Sequence, residues 1–125
     1  MRILVADDSP GIGTILMRYF AREGHVCEHV ATGAASLRRL AEEPRPDVLI
    51  LDLRLGDMSG AEVIARLRAD ASLRALPVVL VTGYAAADGD LPPEGSYQAL
   101  VPKPFDLQEI GAALAAAVGA GREPA

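Results

Sequence analysis

The sequence predicts an α/β domain: a doubly wound, five-stranded parallel sheet in strand order 2-1-3-4-5, with helices on both faces. Three observations predict it. Short apolar runs alternate with helix-periodic segments along the whole chain, which is the rhythm of strand–helix units. Three of those runs, at Arg2–Ala6, Val48–Leu51 and Val78–Val81, are almost continuously apolar. That pattern suits strands covered on both faces. Helix caps and breakers punctuate the alternation at the spacing such units need.

Arg2–Ala6 is the first strand and ends abruptly in Asp7-Asp8. Ser9-Pro10 supplies an N-cap and a first helical residue. Ile12, Ile15, Leu16, Tyr19 and Phe20 then recur at helical spacing until Gly24. His25–Val30 is a second, more mixed strand. Thr32-Gly33 opens a helix with Leu37, Leu40 and Ala41 on its inner face, and the Pro44/Pro46 pair ends it. The third strand follows from Asp47 and delivers Asp52 at its mouth. Ser59 caps a helix with Val63, Ile64 and Leu67 inward. Pro77 opens the fourth strand, which closes on Thr82. Between Gly83 and Gly95 a helix is due by rhythm, but Gly89, Pro92, Pro93 and Gly95 leave room for two turns at most. Tyr97–Val101 is a short fifth strand, and Pro102-Lys103-Pro104 a rigid turn. Asp106 caps a last helix with Leu107, Ile110, Leu114 and Val118 inward, ended by Gly119 and Gly121. The domain is expected to span 1–121, with 122–125 a disordered tail. With the three apolar strands central, the mixed ones at the edges and right-handed crossovers, the arrangement is flavodoxin-like.

The 125 residues suffice for one domain with its own core. A net charge of −5 argues against direct binding of nucleic acid or an anionic membrane. No apolar run reaches the ~20 residues of a membrane span, and no signal-peptide pattern opens the chain. One cysteine, Cys27, cannot pair within the chain, which suits a reducing cytoplasm. Three Tyr, two Phe and no Trp leave the core to aliphatic side chains.

In a parallel sheet every strand exits on one rim, where ligands bind. At that rim the sequence places Asp7 and Asp8 after the first strand, Asp52 at the end of the third, Thr82 at the end of the fourth and Lys103 after the fifth. Three acids in one place repel unless cations intervene. Lys103 supplies one positive charge, and the deficit and the all-oxygen ligands suit Mg²⁺, whose usual partner is phosphate. Thr82 and Lys103 can hold phosphoryl oxygens. With no His, Ser or Cys at the rim, Asp52 is the candidate nucleophile, forming an acyl phosphate.

These residues carry a resemblance. Asp7-Asp8, Asp52, Gly60, Thr82-Gly83 and Lys103-Pro104-Phe105, in this order and spacing, resemble the receiver domain of two-component response regulators over essentially the whole chain. The resemblance implies that Asp52 accepts a phosphoryl group from a sensor histidine kinase or a histidine phosphotransfer protein. It implies Mg²⁺ bound by Asp8, Asp52 and the backbone carbonyl of Arg54, with Asp7 acting mainly through water. Thr82 and Lys103 then contact the phosphoryl group, and the Lys103–Pro104 bond is cis. The chain departs from the family at Leu100, where a switch aromatic is usual (Tyr97 lies three residues earlier), at Gly56, where proline is common, and in the eroded fourth helix. Signalling is therefore not expected to run through aromatic rotation at position 100. Arg54 and Tyr84, two residues past Asp52 and Thr82, are expected to flank the phosphoryl group and tune its hydrolysis.

Two rival functions stand beside this one. One is a Mg²⁺-dependent phosphatase with Asp52 as nucleophile; but the chain has little length for a substrate cap, and Arg54 stands where a second carboxylate would act as acid. The other is a degenerate receiver serving as a protein-binding scaffold. His25, Cys27 and His29 alternate along one strand, but ligands on a straight strand do not converge as zinc requires. Gly11-Ile12-Gly13 lacks the third glycine of a dinucleotide loop. Ala112–Ala117 is helix-forming sequence, not a membrane segment.

Overall fold

Five parallel strands, β1 (Arg2–Ala6), β2 (Val26–Val30), β3 (Val48–Asp52), β4 (Val78–Gly83) and β5 (Ala99–Lys103), pair in the order β2-β1-β3-β4-β5. They come from a computed structural model that describes residues 1–83 and 91–121. The described helices are α1 (Pro10–Arg22), α2 (Gly33–Leu40), α3 (Gly60–Ala69) and α4 (Leu107–Gly121). The continuously apolar strands β1, β3 and β4 are central, as expected of residues that must be covered on both sides.

Strand alternation sorts the core into two layers. Val5, Ile50, Val79 and Val101 face α1 and α4, where Leu16, Phe20, Ile110 and Leu114 meet them. Leu4, Leu49, Leu51 and Leu80 face α2 and α3, where Leu40, Val63, Ile64 and Leu67 meet them. Burying each such side chain is worth about 1.5–3 kcal/mol, so aliphatic packing can carry this fold with Phe20 as its one fully buried aromatic among the described residues. Helix starts are set by side-chain oxygens. Ser9 Oγ accepts from the Ile12 amide, Thr32 Oγ1 from Ala35 and Ser59 Oγ from Glu62. Asp106 does the same for the Glu109 amide at 2.7 Å.

Several boundaries differ from expectation. β5 starts at Ala99, because Gln98 is already committed to Val78: its amide donates to the Val78 carbonyl, and its Oε1 accepts from the Val78 amide. Lys103 is thus the last residue of a strand, held in register opposite Gly83, rather than part of a turn. α4 continues through Gly119 to Gly121, since packing of Ala117 and Val118 outweighs one glycine. Ala41 is exposed as the C-cap of α2, whose buried face is Gly33, Ser36 and Leu40. Ile15 points outward and is 54% exposed. Residues 91–98 form turns rather than a helix; the rest of the eroded segment, 84–90, and the expected tail, 122–125, lie outside the described residues.

Arg68, near the end of α3, clasps the approach to β4 and β5. Its guanidinium donates to the carbonyls of Arg74, Leu76 and Ser96 and to Gln98 Oε1 at 2.7–3.3 Å. No described helix is long and apolar enough to cross a membrane.

Candidate functional site

The carboxyl ends of β1, β3, β4 and β5 bring Asp7, Asp8, Asp52, Thr82 and Lys103 to one rim. Asp7, Asp52 and Thr82 are only 3%, 6% and 7% exposed, so each needs polar company. Asp7 finds it in the Ser9 amide, 2.8 Å from Oδ1, and in Lys103 Nζ, 3.2 Å from Oδ2. Asp52 finds it in the Arg54 amide, 3.0 Å from Oδ1, and in the same Nζ, 2.8 Å from Oδ2. One ammonium therefore bridges two buried carboxylates. Asp8 is exposed at the outer side, and the three acids offer oxygens within 4.8 Å of one another. Thr82 sits one residue past Val81, the partner of Asp52 in the ladder.

The loop after Asp52 is tightly built. The Leu53 amide continues the ladder to the Val81 carbonyl at 2.8 Å. An antiparallel bridge joins Arg54 to Ser59, and the Gly60 amide returns to the Leu53 carbonyl at 2.6 Å. Gly60 lies so close that a Cβ there would sit 2.7 Å from the Asp52 carbonyl oxygen and 2.9 Å from Leu53 Cα. Only glycine fits against that backbone. Asp57 then reaches across to α2, its two oxygens accepting from the Gly33 and Ala34 amides at 2.8 and 2.9 Å. Those amides hold the Asp57 carboxyl below the usual carboxylate range. Sequence reasoning missed this tether. Its signal was an acid at the strand rim near a helix start, Thr32-Gly33-Ala34, whose first amides lack partners.

Of the other candidates, His25, Cys27 and His29 do not converge on a metal. His25 Nδ1 meets the amino terminus at 3.0 Å, His29 Nε2 meets the Asp7 carbonyl at 2.7 Å, and Cys27 is a half-buried thiol pushed up to about 11, chiefly by burial. Tyr84 lies outside the described residues. The Lys103–Pro104 peptide is cis, as the resemblance implied.

A family model for the response regulator receiver domain matches residues 3–115. The chain belongs to this family. It is 40% identical over 116 residues to the transcriptional regulatory protein KdpE of Mycobacterium tuberculosis, covering 93% of this chain; the chain spans 50% of the length of that relative. It is 33% identical to sporulation initiation phosphotransferase F of Bacillus subtilis, covering 87% of this chain and 86% of that protein. Among solved structures it is similar to the receiver domain of a sensor histidine kinase of Pseudomonas aeruginosa PAO1, with a TM-score of 0.83 at 25% identity, covering 94% and 97% of the two chains. That structure has a magnesium ion coordinated in its active site cleft.

The charges of this receiver domain are out of balance at the rim. Burial, and then the charge of Asp52, push the Asp7 carboxyl above its ordinary range against the pull of the Ser9 amide and Lys103. Burial alone would lower the Lys103 ammonium; the hydrogen bond and charge of Asp52, with help from Asp7, outweigh it and hold the ammonium above its ordinary range. Three carboxylates to one ammonium leave room for a divalent cation, and an all-oxygen donor set fits Mg²⁺.

Proposed function

We propose that Asp52 is the phosphoacceptor of this receiver domain and that Asp8, Asp52 and the Arg54 carbonyl hold Mg²⁺, with Asp7 acting through water. The observation that carries this is the Lys103 ammonium, bonded at once to Asp52 and Asp7 at the edge of the three-acid cluster. Bound there, Mg²⁺ would neutralise the phosphoryl oxygens and lower repulsion toward the attacking carboxylate. An Asp52 oxygen forms the new O–P bond as the N–P bond of a phosphohistidine breaks, and the imidazole nitrogen keeps that electron pair. Lys103 moves its hydrogen bond from the carboxylate to a phosphoryl oxygen, and the Thr82 hydroxyl donates to another.

The donor is a sensor histidine kinase or a histidine phosphotransfer protein. Its approach is supported by an apolar groove of about 920 Å³, lined by Ile12, Ile15, Leu16, Phe105 and Leu107, that runs up to Lys103 and Gly83 at the acceptor. Such a partner places the domain, residues 1–121, in the cytoplasm. The chemistry is confined to the domain's own phosphorylation and dephosphorylation, which Arg54 and Tyr84 tune. Leu100 is 44% exposed and aliphatic, so the phosphorylated state is not signalled by a rotating ring at that position.

Intact mass after incubation with Mg²⁺ and acetyl phosphate tests this. The wild type gains one phosphoryl group and Asp52→Ala gains none. No adduct on the wild type, or an equal adduct on Asp52→Ala, refutes it. Catalytic turnover of phosphoesters would favour the phosphatase.

A further inference from the structure

The imidazole of His29 has no part in phosphoryl transfer, yet it touches the acidic rim. Its Nε2 lies 2.7 Å from the backbone carbonyl oxygen of Asp7. A carbonyl can only accept, so His29 carries a proton on Nε2 and donates it there. The ring also lies against the backbone of α1 at buried Gly13. A Cβ at position 13 would come within 2.6 Å of the imidazole Cγ, so the ring occupies a notch that only glycine leaves. We infer that His29, seated against Gly13, is a positioning residue for the Mg²⁺ site: it fixes the peptide plane between Asp7 and Asp8 and so aims their carboxylates toward Asp52, a role that rests on the Mg²⁺-binding site proposed above.

β2 grips Asp7 from both ends. The Asp7 amide donates to the Val30 carbonyl at 3.1 Å, and the Asp7 carbonyl accepts from His29. The peptide unit is planar, so fixing its carbonyl sets ψ of Asp7 and φ of Asp8 together. The Asp7 carboxylate has further anchors in Ser9 and Lys103. Asp8 is exposed, so its aim depends on the backbone that carries it. Outer partners that orient metal ligands typically matter about 10–100-fold in affinity.

The test is Mg²⁺ titration of the full chain followed by amide NMR, for the wild type, His29→Phe, His29→Gln and Gly13→Ala. Phe keeps the ring volume without the donor; Gln can place an amide nitrogen near the same point. His29→Phe is expected to weaken Mg²⁺ about tenfold, and His29→Gln to recover most of that loss. Gly13→Ala, which drives the ring out from the opposite side, is expected to weaken Mg²⁺ as His29→Phe does. Unchanged affinity in His29→Phe or Gly13→Ala overturns the inference. So does a His29→Gln variant as weak as His29→Phe, which would assign the loss to packing. A wild type that does not bind Mg²⁺ overturns the metal site itself, and is distinguished by failing before any variant is compared.

Discussion

Replacing Asp8 by Asn is expected to stabilise the metal-free domain and to leave it less stable than the wild type once Mg²⁺ is present. The carboxylates of Asp7, Asp8 and Asp52 have oxygens within 4.8 Å of one another. At that separation two unit charges repel by about 0.9 kcal/mol in water and about 3.5 kcal/mol at an effective dielectric near 20. Asp8 is exposed, so the lower figure governs both of its pairs. Lys103, bonded to Asp52 and Asp7, attracts Asp8 as well and cancels part of the repulsion. The near-isosteric amide should therefore relieve about 1 kcal/mol. With Mg²⁺ at ten times its dissociation constant, the wild type gains about 1.4 kcal/mol that a variant lacking this ligand does not. The order of stabilities should invert. Urea unfolding read by far-ultraviolet circular dichroism, in chelator and in Mg²⁺, measures both halves; the chain has no Trp to report by fluorescence. Equal stabilities in chelator, or equal gains with Mg²⁺, would refute the reasoning.

Gly60→Ala forces a Cβ onto the Asp52 carbonyl and Leu53 Cα, backbone that cannot turn aside, and should cost about 2 kcal/mol; a thermal midpoint like the wild type's would contradict this. Arg68→Lys replaces a planar fork by a point-like ammonium and should lose about 2 kcal/mol, seen as a lower urea midpoint; an unmoved midpoint counts against the clasp. Asp57→Ala removes a carboxylate whose proton affinity the fold lowers. That contribution is present above the ordinary carboxylate value of 3.8 and is lost as pH falls through the depressed folded value. The gap in melting temperature between wild type and variant should therefore be open at neutral pH and close on acidification. A gap independent of pH would exclude this role.

The sheet was legible because its information is redundant. Three apolar strands, four side-chain caps and one rim of polar residues all agree, so the order and the meeting of Asp7, Asp8, Asp52 and Lys103 follow from pattern alone. Boundaries were less legible where tertiary contacts outvote local preference. Gln98 spends its side chain on Val78 and delays β5, and Ala117 and Val118 hold α4 together past Gly119. The Asp57 tether left only a weak signal, an acid at the rim and a helix start far off in sequence, and the fit of His29 against Gly13 left none, since each joins residues distant in sequence through backbone groups.

The clasp made by Arg68 has no carboxylate in it. Besides Gln98 Oε1, its grip is on main-chain oxygens at 74, 76 and 96, which every residue type supplies alike. The exposed Arg74 side chain can therefore be exchanged, and the outer surface there re-tailored to a new partner, without loosening the frame beneath.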